Sequence, residues 1–267
     1  MIEINNLTKK VDQFVAVDNL SFTVKEGEVL GFLGPNGAGK STTMKVITGF
    51  LSPTSGSVTI DGNDISQQSL KAKSLIGYLP DGAPSYGDMT TIEFLRFIAQ
   101  VRGFRGEEID KRVKHVITEV ALEAVREQSI ETLSKGFKRR VGLAQAIMHD
   151  PKGLILDEPT DGLDPNQKHH VRELIKNLAK DKIVIISTHI LEEVTAVCTR
   201  AIIIAKGCIV ADGTPAELES RSRYHQAIKV TLTDEHDLSA DLNGLANVET
   251  VEASEDERLS YTIVAKD

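Results

Sequence analysis

The sequence predicts an α/β fold: a buried parallel sheet with an antiparallel β-subdomain, a helical subdomain and a small C-terminal α+β extension. Residues 153–157 and 183–187 predict the parallel sheet, because they are continuous apolar runs typical of strands covered on both faces. A glycine-rich loop at 34–41 supports this, since it lies between the apolar run 29–33 and a helical pattern at 42–48. Such strand–loop–helix units are typical of α/β proteins.

The first third of the chain is rich in short strand patterns, which predict a sheet that curls over the glycine-rich loop. These patterns cover residues 2–5, 16–24, 27–33 and 57–60, and the last one ends in a turn at 61–62. Residues 76–79 predict one more short strand.

The middle of the chain changes to helical patterns from Thr90 onward. Thr90 and Glu93 have the spacing of a capping box, in which each side chain binds the backbone N–H group of the other residue. Residues 107–120 and 134–148 predict two further helices. We therefore expect a helical subdomain over about residues 82–150.

Strand and helix patterns alternate again after this region. The helix between the two buried strands begins with Asp164 as its cap and Pro165 in its first turn. Residues 201–205 and 208–210 predict a hairpin, and residues 214–217 predict a capping box that opens a short helix.

The composition shifts near Arg221, which predicts a main domain over residues 1–218 and a small α+β extension over 219–267. Residues 221–267 contain ten Asp or Glu and five Lys or Arg, so they carry a net charge of −5 out of −8. Strand patterns in this extension cover residues 227–232, 248–251 and 259–264.

The composition of the 267 residues is that of a soluble globular protein, with 40% hydrophobic and 26% charged residues. A formal charge of −8 argues against a free-standing nucleic-acid-binding protein, which usually presents a basic face. No apolar run approaches the roughly 18 residues of a membrane span, so we expect any membrane contact to be made through a partner. Cys198 and Cys208 lack the spacing of a zinc site and are expected to be reduced, mostly buried thiols.

Residues 34–41 match the phosphate-binding pattern G-x-x-x-x-G-K-[ST] at every fixed position. Glycines allow turns that bring consecutive N–H groups to one concavity, and the following helix adds the positive end of its dipole. Lys40 can reach the β- and γ-phosphates of a nucleotide, and the Ser41 hydroxyl can bind Mg²⁺. The candidate binding residues here are Gly34, Pro35, Asn36, Gly37, Ala38, Gly39, Lys40, Ser41 and Thr42.

Two carboxylates stand where the buried strand 153–157 ends. In a phosphate-binding α/β protein this end of the sheet lies beside the phosphates, so Asp157 is placed to hold Mg²⁺ and Glu158 to deprotonate an attacking water. The alternative is a helix cap next to a surface acid. The loop at 34–41 favours the first interpretation.

A basic helix begins within residues 133–140, with Ser134 near its cap. A capping serine followed by Gly136 leaves N–H groups pointing outward, as in a second anion site. By themselves these residues predict only a well-capped helix.

Taken together, the motifs resemble those of the ATP-binding subunits of ABC transporters over residues 1–218, which implies the P-loop NTPase fold of an ABC ATPase. The glycine-rich loop resembles the Walker A motif. The run 133–137 resembles the LSGGQ signature, and residues 154–158 resemble the Walker B strand with its catalytic glutamate. Residues 161–164 resemble the D-loop, and His189 resembles the switch histidine.

The resemblance implies that two copies pack head to tail around ATP and Mg²⁺. ATP on Lys40 and Ser41 of one copy would meet Ser134 and Gly136 of the other. The implied catalytic residues are Lys40, Glu158 and His189, the implied metal ligands are Ser41, Asp81 and Asp157, and the implied nucleotide contacts include Asp164. The implied partners are a second copy and integral membrane permease subunits, with no nucleic acid, at the cytoplasmic face of the cell membrane.

Three positions differ from the usual pattern of the family. Asp81 stands where a glutamine is common, and its carboxylate is expected to take over the metal-binding role. Val11 stands near the place of the aromatic residue that stacks on adenine. Phe14 is the nearest substitute or, alternatively, a core residue at a strand edge. Lys135 replaces the first glycine of the signature.

The variant signature and residues 161–165 are similar to those of ABC-2-type exporters. The segment 85–89 lies where the family docks its membrane subunit, and exposed Tyr86 and Met89 would suit that interface, although an ordinary turn explains them equally well. The alternative functions are a soluble ABC ATPase that acts on a ribosome, DNA or iron–sulfur assembly complex, and a regulatory module that hydrolyses little ATP.

Overall fold

A six-stranded sheet and a four-stranded sheet organise the first of two compact units, Met1–Pro215. The computed structural model describes residues 1–221, 227–231, 242, 245, 247–253 and 260–265. In chain order the elements of the first unit are β1 (Ile2–Val11), β2 (Phe14–Val24), β3 (Val29–Leu33), α1 (Lys40–Ile47), β4 (Ser55–Ile60), β5 (Asn63–Asp64), α2 (Ser69–Ser74), β6 (Ile76–Leu79), α3 (Thr91–Val101), α4 (Glu107–Glu119), α5 (Lys135–Ile147), β7 (Gly153–Asp157), α6 (Pro165–Leu178), β8 (Ile183–Thr188), α7 (Leu191–Val197), β9 (Arg200–Ala205) and β10 (Cys208–Gly213).

The six-stranded sheet has the order β10-β9-β3-β8-β7-β6. The strands from β9 to β6 run parallel, and β10 pairs antiparallel to β9 at one edge. Every residue of β7 and β8 is buried, so the prediction of strands covered on both faces is confirmed. The carboxyl ends of β3, β7 and β8 lie at one end of the sheet, and the loops that follow them meet there.

The four-stranded sheet is antiparallel, with the order β2-β1-β4-β5. The prediction that residues 27–33 belong to this sheet is wrong, because β3 pairs with β8 and β9 in the parallel sheet. The first four residues of β3 are buried, which fits a strand packed on both faces. The other predicted strands of this region are present, and β1 and β2 are longer than predicted.

A common hydrophobic core joins the two sheets and α1. Phe22 of β2 and Phe32 of β3 have ring centroids 5.5 Å apart. Met44 of α1 is fully buried in the same cluster. Because close-packed interiors resist displacement, this packing fixes the start of α1 relative to the ends of the parallel strands.

Helices α3, α4 and α5 lie in the region where helical patterns begin. Thr90 and Glu93 form the predicted capping box, in which the Thr90 hydroxyl accepts the Glu93 N–H and the Glu93 carboxylate accepts the Thr90 N–H. Asp164 and Pro165 begin α6 as predicted. The sequence pattern does not predict α2 or α7, which have six and seven residues, because one or two turns show too little of the helical period.

The second unit, Ala216–Asp267, contains three antiparallel strands in the order β11-β13-β12. After α8 (Pro215–Ser220), these are β11 (Ile228–Thr231), β12 (Val248–Ala253) and β13 (Ser260–Ala265). They coincide with the three predicted strand patterns, whose ends at Leu232 and Leu259 fall outside the described residues. Within the described part of the chain, no helix is both long and apolar enough to cross a lipid bilayer.

The two cysteines are free thiols in different environments. Cys198 is buried as predicted, and burial raises the pKa of its thiol to about 12. Cys208 is exposed, contrary to the prediction, because it begins the edge strand β10.

Candidate active site

The glycine-rich loop connects β3 to α1, and two of its glycines stand where a side chain would meet neighbouring backbone. A Cβ atom on Gly34 would lie 2.2 Å from the Ile204 carbonyl oxygen, so the loop passes too close to β9 for any side chain. Gly39 caps α1 with a φ of +107°, and a Cβ atom there would lie 2.5 Å from the Ala16 carbonyl oxygen. The first N–H groups of α1 are therefore presented next to the loop, at the positive end of the helix.

The side chain of Lys40 lies inside the loop. Its Nζ donates to the carbonyl oxygens of Gly34 at 2.6 Å and Pro35 at 3.1 Å, and only 5% of the residue is exposed. Burial lowers the pKa of this ammonium group, while the nearby carboxylates of Glu158 and Asp157 act in the opposite direction. Lys40 is thus a buried cation whose present partners are neutral carbonyl groups, which anionic phosphate oxygens can replace.

An open cleft of about 690 Å³ lies over the loop and brings many of the predicted residues together. The predicted residues that line it are Phe14, Asn36, Gly37, Gly39, Lys40, Ser41, Thr42, Asp81 and Glu158. Gly34, Pro35 and Ala38 belong to the loop itself, and Ala38 packs into the core beneath it.

Asp157 lies at the end of β7 and is completely buried. Its Oδ1 accepts a hydrogen bond from the Ser187 hydroxyl of β8. Its Oδ2 is also buried but has no hydrogen-bond partner among the described residues. A buried carboxylate oxygen without a partner is costly, so this atom fits a ligand of Mg²⁺ or of a magnesium-bound water. With the Ser41 hydroxyl and the Asp81 carboxylate on the cleft, the oxygen donors suit a hard cation.

Glu158 follows Asp157 and turns its carboxylate to the cleft. Its Oε1 lies 3.0 Å from Nδ1 of His189, which follows β8. The Glu158 N–H donates to the carbonyl and hydroxyl oxygens of Ser187, at 3.1 Å and 3.2 Å. A carboxylate held by a histidine beside a phosphate-binding loop has the arrangement of a base with its orienting group.

A buried glutamate that the sequence pattern does not single out connects the segment after β7, which contains Glu158, to the end of β8, which precedes His189. Glu193 of α7 is 4% exposed and accepts hydrogen bonds from the hydroxyl groups of Thr160 and, at 2.7 Å, Thr188. Thr160 follows Glu158 by two residues, and Thr188 directly precedes His189. Glu193 therefore fixes the backbone near both members of the Glu158–His189 pair. No motif signals it, since a glutamate in a short helix is ordinary.

Ser134 and Gly136 do not line the cleft over the loop. The Ser134 hydroxyl caps α5 by accepting the Phe137 N–H at 3.3 Å. Gly136 is buried against α6, where an added Cβ atom would lie 2.5 Å from Oε1 of Gln167. Asp164 caps α6 by accepting the Gln167 N–H at 2.9 Å, so its carboxylate is already engaged. Within one chain these three predicted residues lie near the N-termini of α5 and α6, next to Lys135, which does line the cleft.

Lys135 and Asp161 add a charge pair to the rim of the cleft that the sequence does not predict. Nζ of Lys135 lies 2.6 Å from Oδ2 of Asp161, and this ammonium group lowers the pKa of the Asp161 carboxyl. Gly162, with a φ of +73°, makes room for the lysine, because a Cβ atom there would lie 2.6 Å from its Cδ. Gly162, in the run that resembles the D-loop, thus accommodates the lysine that replaces the first glycine of the signature.

Phe14 is 64% exposed and lines the cleft beside Val11, so the alternative of a strand-edge core residue is wrong. The residue starts β2, which is an edge strand of the antiparallel sheet. An exposed aromatic face at this place is available to a planar base.

Tyr86 is exposed as predicted and packs edge-on against Phe94 and Phe97 of α3, with ring centroids 6.1 Å and 5.6 Å away. Met89 differs from the prediction because it is partly buried. Its backbone is held between Tyr86 and Ile130, since the Met89 N–H donates to the Tyr86 carbonyl and the Met89 carbonyl accepts the Ile130 N–H. Tyr86 therefore remains the exposed anchor of this segment.

Comparison with known proteins identifies the family to which the sequence is similar. The sequence model of the family described as "ABC transporter" matches residues 17–161. The probable multidrug ABC transporter ATP-binding protein YbhF of Escherichia coli (strain K12) is 38% identical over 226 residues, which are 83% of this chain and 38% of the relative. The linearmycin resistance ATP-binding protein LnrL of Bacillus subtilis (strain 168) is 38% identical over 234 residues, 87% of this chain and 75% of the relative. The chain thus spans well under two thirds of YbhF but most of LnrL.

Solved structures show the same fold. The structure of an ATP-binding subunit of an ABC transporter has a TM-score of 0.76 and 30% identity, and the match covers 83% of this chain and 92% of that one. A dimeric ATP-binding cassette in a post-hydrolysis state, bound to ADP and Pi, has a TM-score of 0.75 and 26% identity, with coverage of 80% and 99%. The predicted α/β fold of an ABC ATPase is confirmed by these neighbours.

Proposed function

Because this chain belongs to the ABC transporter family of ATP-binding proteins, we propose that it binds and hydrolyses ATP to energise export through separate membrane subunits. The observation that carries the proposal is that one end of the parallel sheet brings together three elements of phosphoryl-transfer chemistry. These are a buried lysine in a glycine loop, a buried Asp157 oxygen without a hydrogen-bond partner among the described residues, and Glu158 held 3.0 Å from His189.

ATP binding replaces the neutral partners of Lys40 by charged ones. Nζ of Lys40 leaves the carbonyl oxygens of Gly34 and Pro35 and donates to β- and γ-phosphate oxygens, which are stronger acceptors. The N–H groups at the start of α1 donate to the same phosphates. The ring of Phe14 stacks on the base at the open end of the cleft.

The metal ligands proposed on this chain are Ser41, Asp81 and Asp157. Bound Mg²⁺ supplies positive charge that offsets the charge developing on the β- and γ-phosphates. Ser41 and Asp81 line the cleft, and Asp157, whose buried Oδ2 has no hydrogen-bond partner among the described residues, directly precedes Glu158 of the same cleft. Asp81 has a shorter reach than glutamine but carries a full negative charge, so it can still serve as an oxygen donor.

Glu158 acts on the attacking water. Its carboxylate takes one proton from the water while the water oxygen forms a bond to the γ-phosphorus, and the bond to the β–γ bridging oxygen breaks to release ADP. His189 holds the carboxylate in place through the 3.0 Å contact between Nδ1 and Oε1. Its Nε2 is then free to face the γ-phosphate.

The second anion site, at Ser134 and Gly136, binds the nucleotide of another copy. Ser134 and Gly136, at the N-terminus of α5, do not line the cleft of their own chain, although Lys135 between them does. In a head-to-tail dimer this helix end would contact the γ-phosphate bound on Lys40 of the other copy, and Asp164 would lie at the same interface. Each ATP would then be shared by two chains, and its hydrolysis would open the dimer.

Export is favoured over the alternative of a soluble ABC ATPase by the names of the relatives. They include a probable multidrug protein, a linearmycin resistance protein and the Nod factor export ATP-binding protein I of Cupriavidus metallidurans, which is 35% identical over 219 residues, 82% of this chain and 72% of the relative. We propose a peripheral subunit at the cytoplasmic face of the membrane, joined to permease subunits through the surface around Tyr86 and Phe97.

The experiment that tests the proposed function is purification of the tagged chain from detergent-solubilised membranes. We expect an integral membrane protein of the permease class to co-purify and to raise the rate of ATP hydrolysis. Recovery of ribosomal proteins, a DNA-bound complex or an iron–sulfur assembly complex, without any membrane protein, would instead support the soluble alternative.

The role of Asp81 is tested by its replacement with alanine. Loss of one proposed oxygen ligand should raise the Mg²⁺ concentration needed for half-maximal hydrolysis by about tenfold to a hundredfold, as for other losses in a metal site. Asp88→Ala is the control, because Asp88 is exposed in the same loop region but does not line the cleft. An unchanged Mg²⁺ dependence in Asp81→Ala would show that another group fills this role.

A further inference from the structure

The buried side chain of Arg139 lies behind the catalytic end of the parallel sheet. It belongs to α5, whose N-cap is Ser134, and only 5% of the residue is exposed. The helix packs tightly on β6, since a Cβ atom on Gly77 would lie 2.0 Å from the Ala146 carbonyl oxygen. A buried charge is retained only when it is well paired, so the partners of Arg139 indicate its role.

Three backbone carbonyl oxygens accept hydrogen bonds from the Arg139 guanidinium group. Nη1 donates to Pro80 at 3.0 Å, and Nη2 donates to both Asp157 and Glu158. Pro80 directly precedes Asp81, so the planar group bridges the ends of β6 and β7. One side chain on the signature helix therefore holds the backbone at the proposed base and beside two proposed metal ligands.

The backbone of Glu158 needs such support. Its φ is +49°, a left-handed conformation that is disfavoured for a residue with a Cβ atom and persists only where its surroundings enforce it. The Glu158 N–H donates to the Ser187 carbonyl, and the Glu158 carbonyl accepts the Asp161 N–H at 3.1 Å in addition to the bond from Arg139. This conformation directs the carboxylate to His189 and the cleft.

The guanidinium group also stands among the acids of the cleft. Burial lowers the pKa of Arg139, while the negative charges of Asp81, Asp157, Asp161 and Glu158 act in the opposite direction. A fixed positive charge at this place reduces the repulsion between these carboxylates. Lysine could supply the charge, but not the planar fork of donors that reaches three carbonyl groups.

We propose that Arg139 is a positioning residue for hydrolysis, which sets the place of the Glu158 carboxylate and connects it to the signature helix α5. This inference rests on the proposed function and deepens it. When the N-terminus of α5 contacts the nucleotide of the partner copy, a shift of the helix carries Arg139 with it. The backbone of Glu158 and Pro80 follows, so contact of the signature with the nucleotide is transmitted to the base.

Arg140 provides a matched control on the same helix. It is 8% exposed, and its Nη1 donates to the Ala121 carbonyl oxygen at 2.8 Å. Its guanidinium carbon lies 4.2 Å from the ring centroid of Phe137. Because these partners all belong to the helical part of the unit, Arg140→Lys removes a comparable set of buried contacts without touching the backbone of Glu158.

The test compares Arg139→Lys and Arg140→Lys in the full chain. We expect Arg139→Lys to lower kcat for ATP hydrolysis by about tenfold to a hundredfold, the range found for groups that orient catalytic ligands, while KM changes by less than about threefold. Hydrogen exchange of the backbone amides at 157–161 should become faster in Arg139→Lys only. Arg140→Lys should keep kcat within about threefold of the wild type, even if its thermal midpoint falls as much as that of Arg139→Lys.

Two results would overturn the proposal. One is an equal loss of kcat in Arg139→Lys and Arg140→Lys that follows the loss of thermal stability in each variant. The other is an unchanged kcat together with unchanged exchange at 157–161 in Arg139→Lys. If Arg139→Lys does not fold, Arg139→Gln is judged by the same criteria. A wild-type chain without ATPase activity would count against the proposed function alone, because the exchange measurement tests the contact of Arg139 with Glu158 independently.

Discussion

Replacement of Glu158 by glutamine should lower the rate of ATP hydrolysis by about 10²- to 10⁴-fold, the usual contribution of a general base, and should leave ATP affinity nearly unchanged. Glutamine keeps the size of the side chain and can still contact His189, whose Nδ1 lies 3.0 Å from Oε1. It cannot accept a proton from water. Single-turnover hydrolysis and equilibrium binding of ATP separate the two effects.

Glu173→Gln is the matched control for this change. Glu173 is an exposed glutamate of α6 whose contact is with Lys176, one turn along the same helix. We expect its rate to equal that of the wild type, because exposed ion pairs contribute little. Hydrolysis by Glu158→Gln within about threefold of the wild-type rate would assign proton transfer to another group.

Replacement of Lys40 by alanine should weaken ATP binding by about 100-fold. Charge-assisted hydrogen bonds to phosphate contribute about 1.5–3 kcal/mol each, and about 1.4 kcal/mol corresponds to a factor of ten in affinity. Part of this is offset, because Lys40 must first give up its bonds to Gly34 and Pro35. Titration with a fluorescent ATP analogue in the presence of Mg²⁺ measures the change.

Lys45→Ala separates the role of Lys40 from the general loss of a positive charge. Lys45 lies five residues further along α1 and does not line the cleft. Its replacement should change ATP affinity by less than about threefold, since solvent screens a charge outside the site. Equal losses of affinity in the two variants would contradict the placement of the phosphates on Lys40.

The sequence predicts those parts of the fold that depend on neighbouring residues. The strand β7, the capping box at Thr90 and the start of α6 at Asp164 follow from local apolar runs and cap residues, and the structure confirms them. The position of β3 does not follow in the same way. Its apolar run is clear, but its partners β8 and β9 lie about 150 residues or more away along the chain.

The candidate site likewise contains residues that local sequence patterns predict and residues that they do not predict. The loop, Asp157, Glu158 and His189 belong to motifs with fixed spacing, and the structure brings them to one end of the sheet. Arg139 and Glu193 cannot be found in this way, because their roles consist of contacts with backbone or hydroxyl groups on other elements. Sequence patterns record the residues that contact a ligand better than those that hold these residues in place.

The central claim is that the triphosphate joins two copies, since Ser134 and Gly136 do not line the cleft of their own chain. It is tested most directly by the mass of Glu158→Gln, measured by light scattering after size-exclusion chromatography with saturating ATP and Mg²⁺. A dimer that forms with ATP, dissociates with ADP and is lost in the additional variant Lys40→Ala is the predicted result. A chain that binds ATP but stays monomeric, both alone and with its membrane partner, would contradict the account.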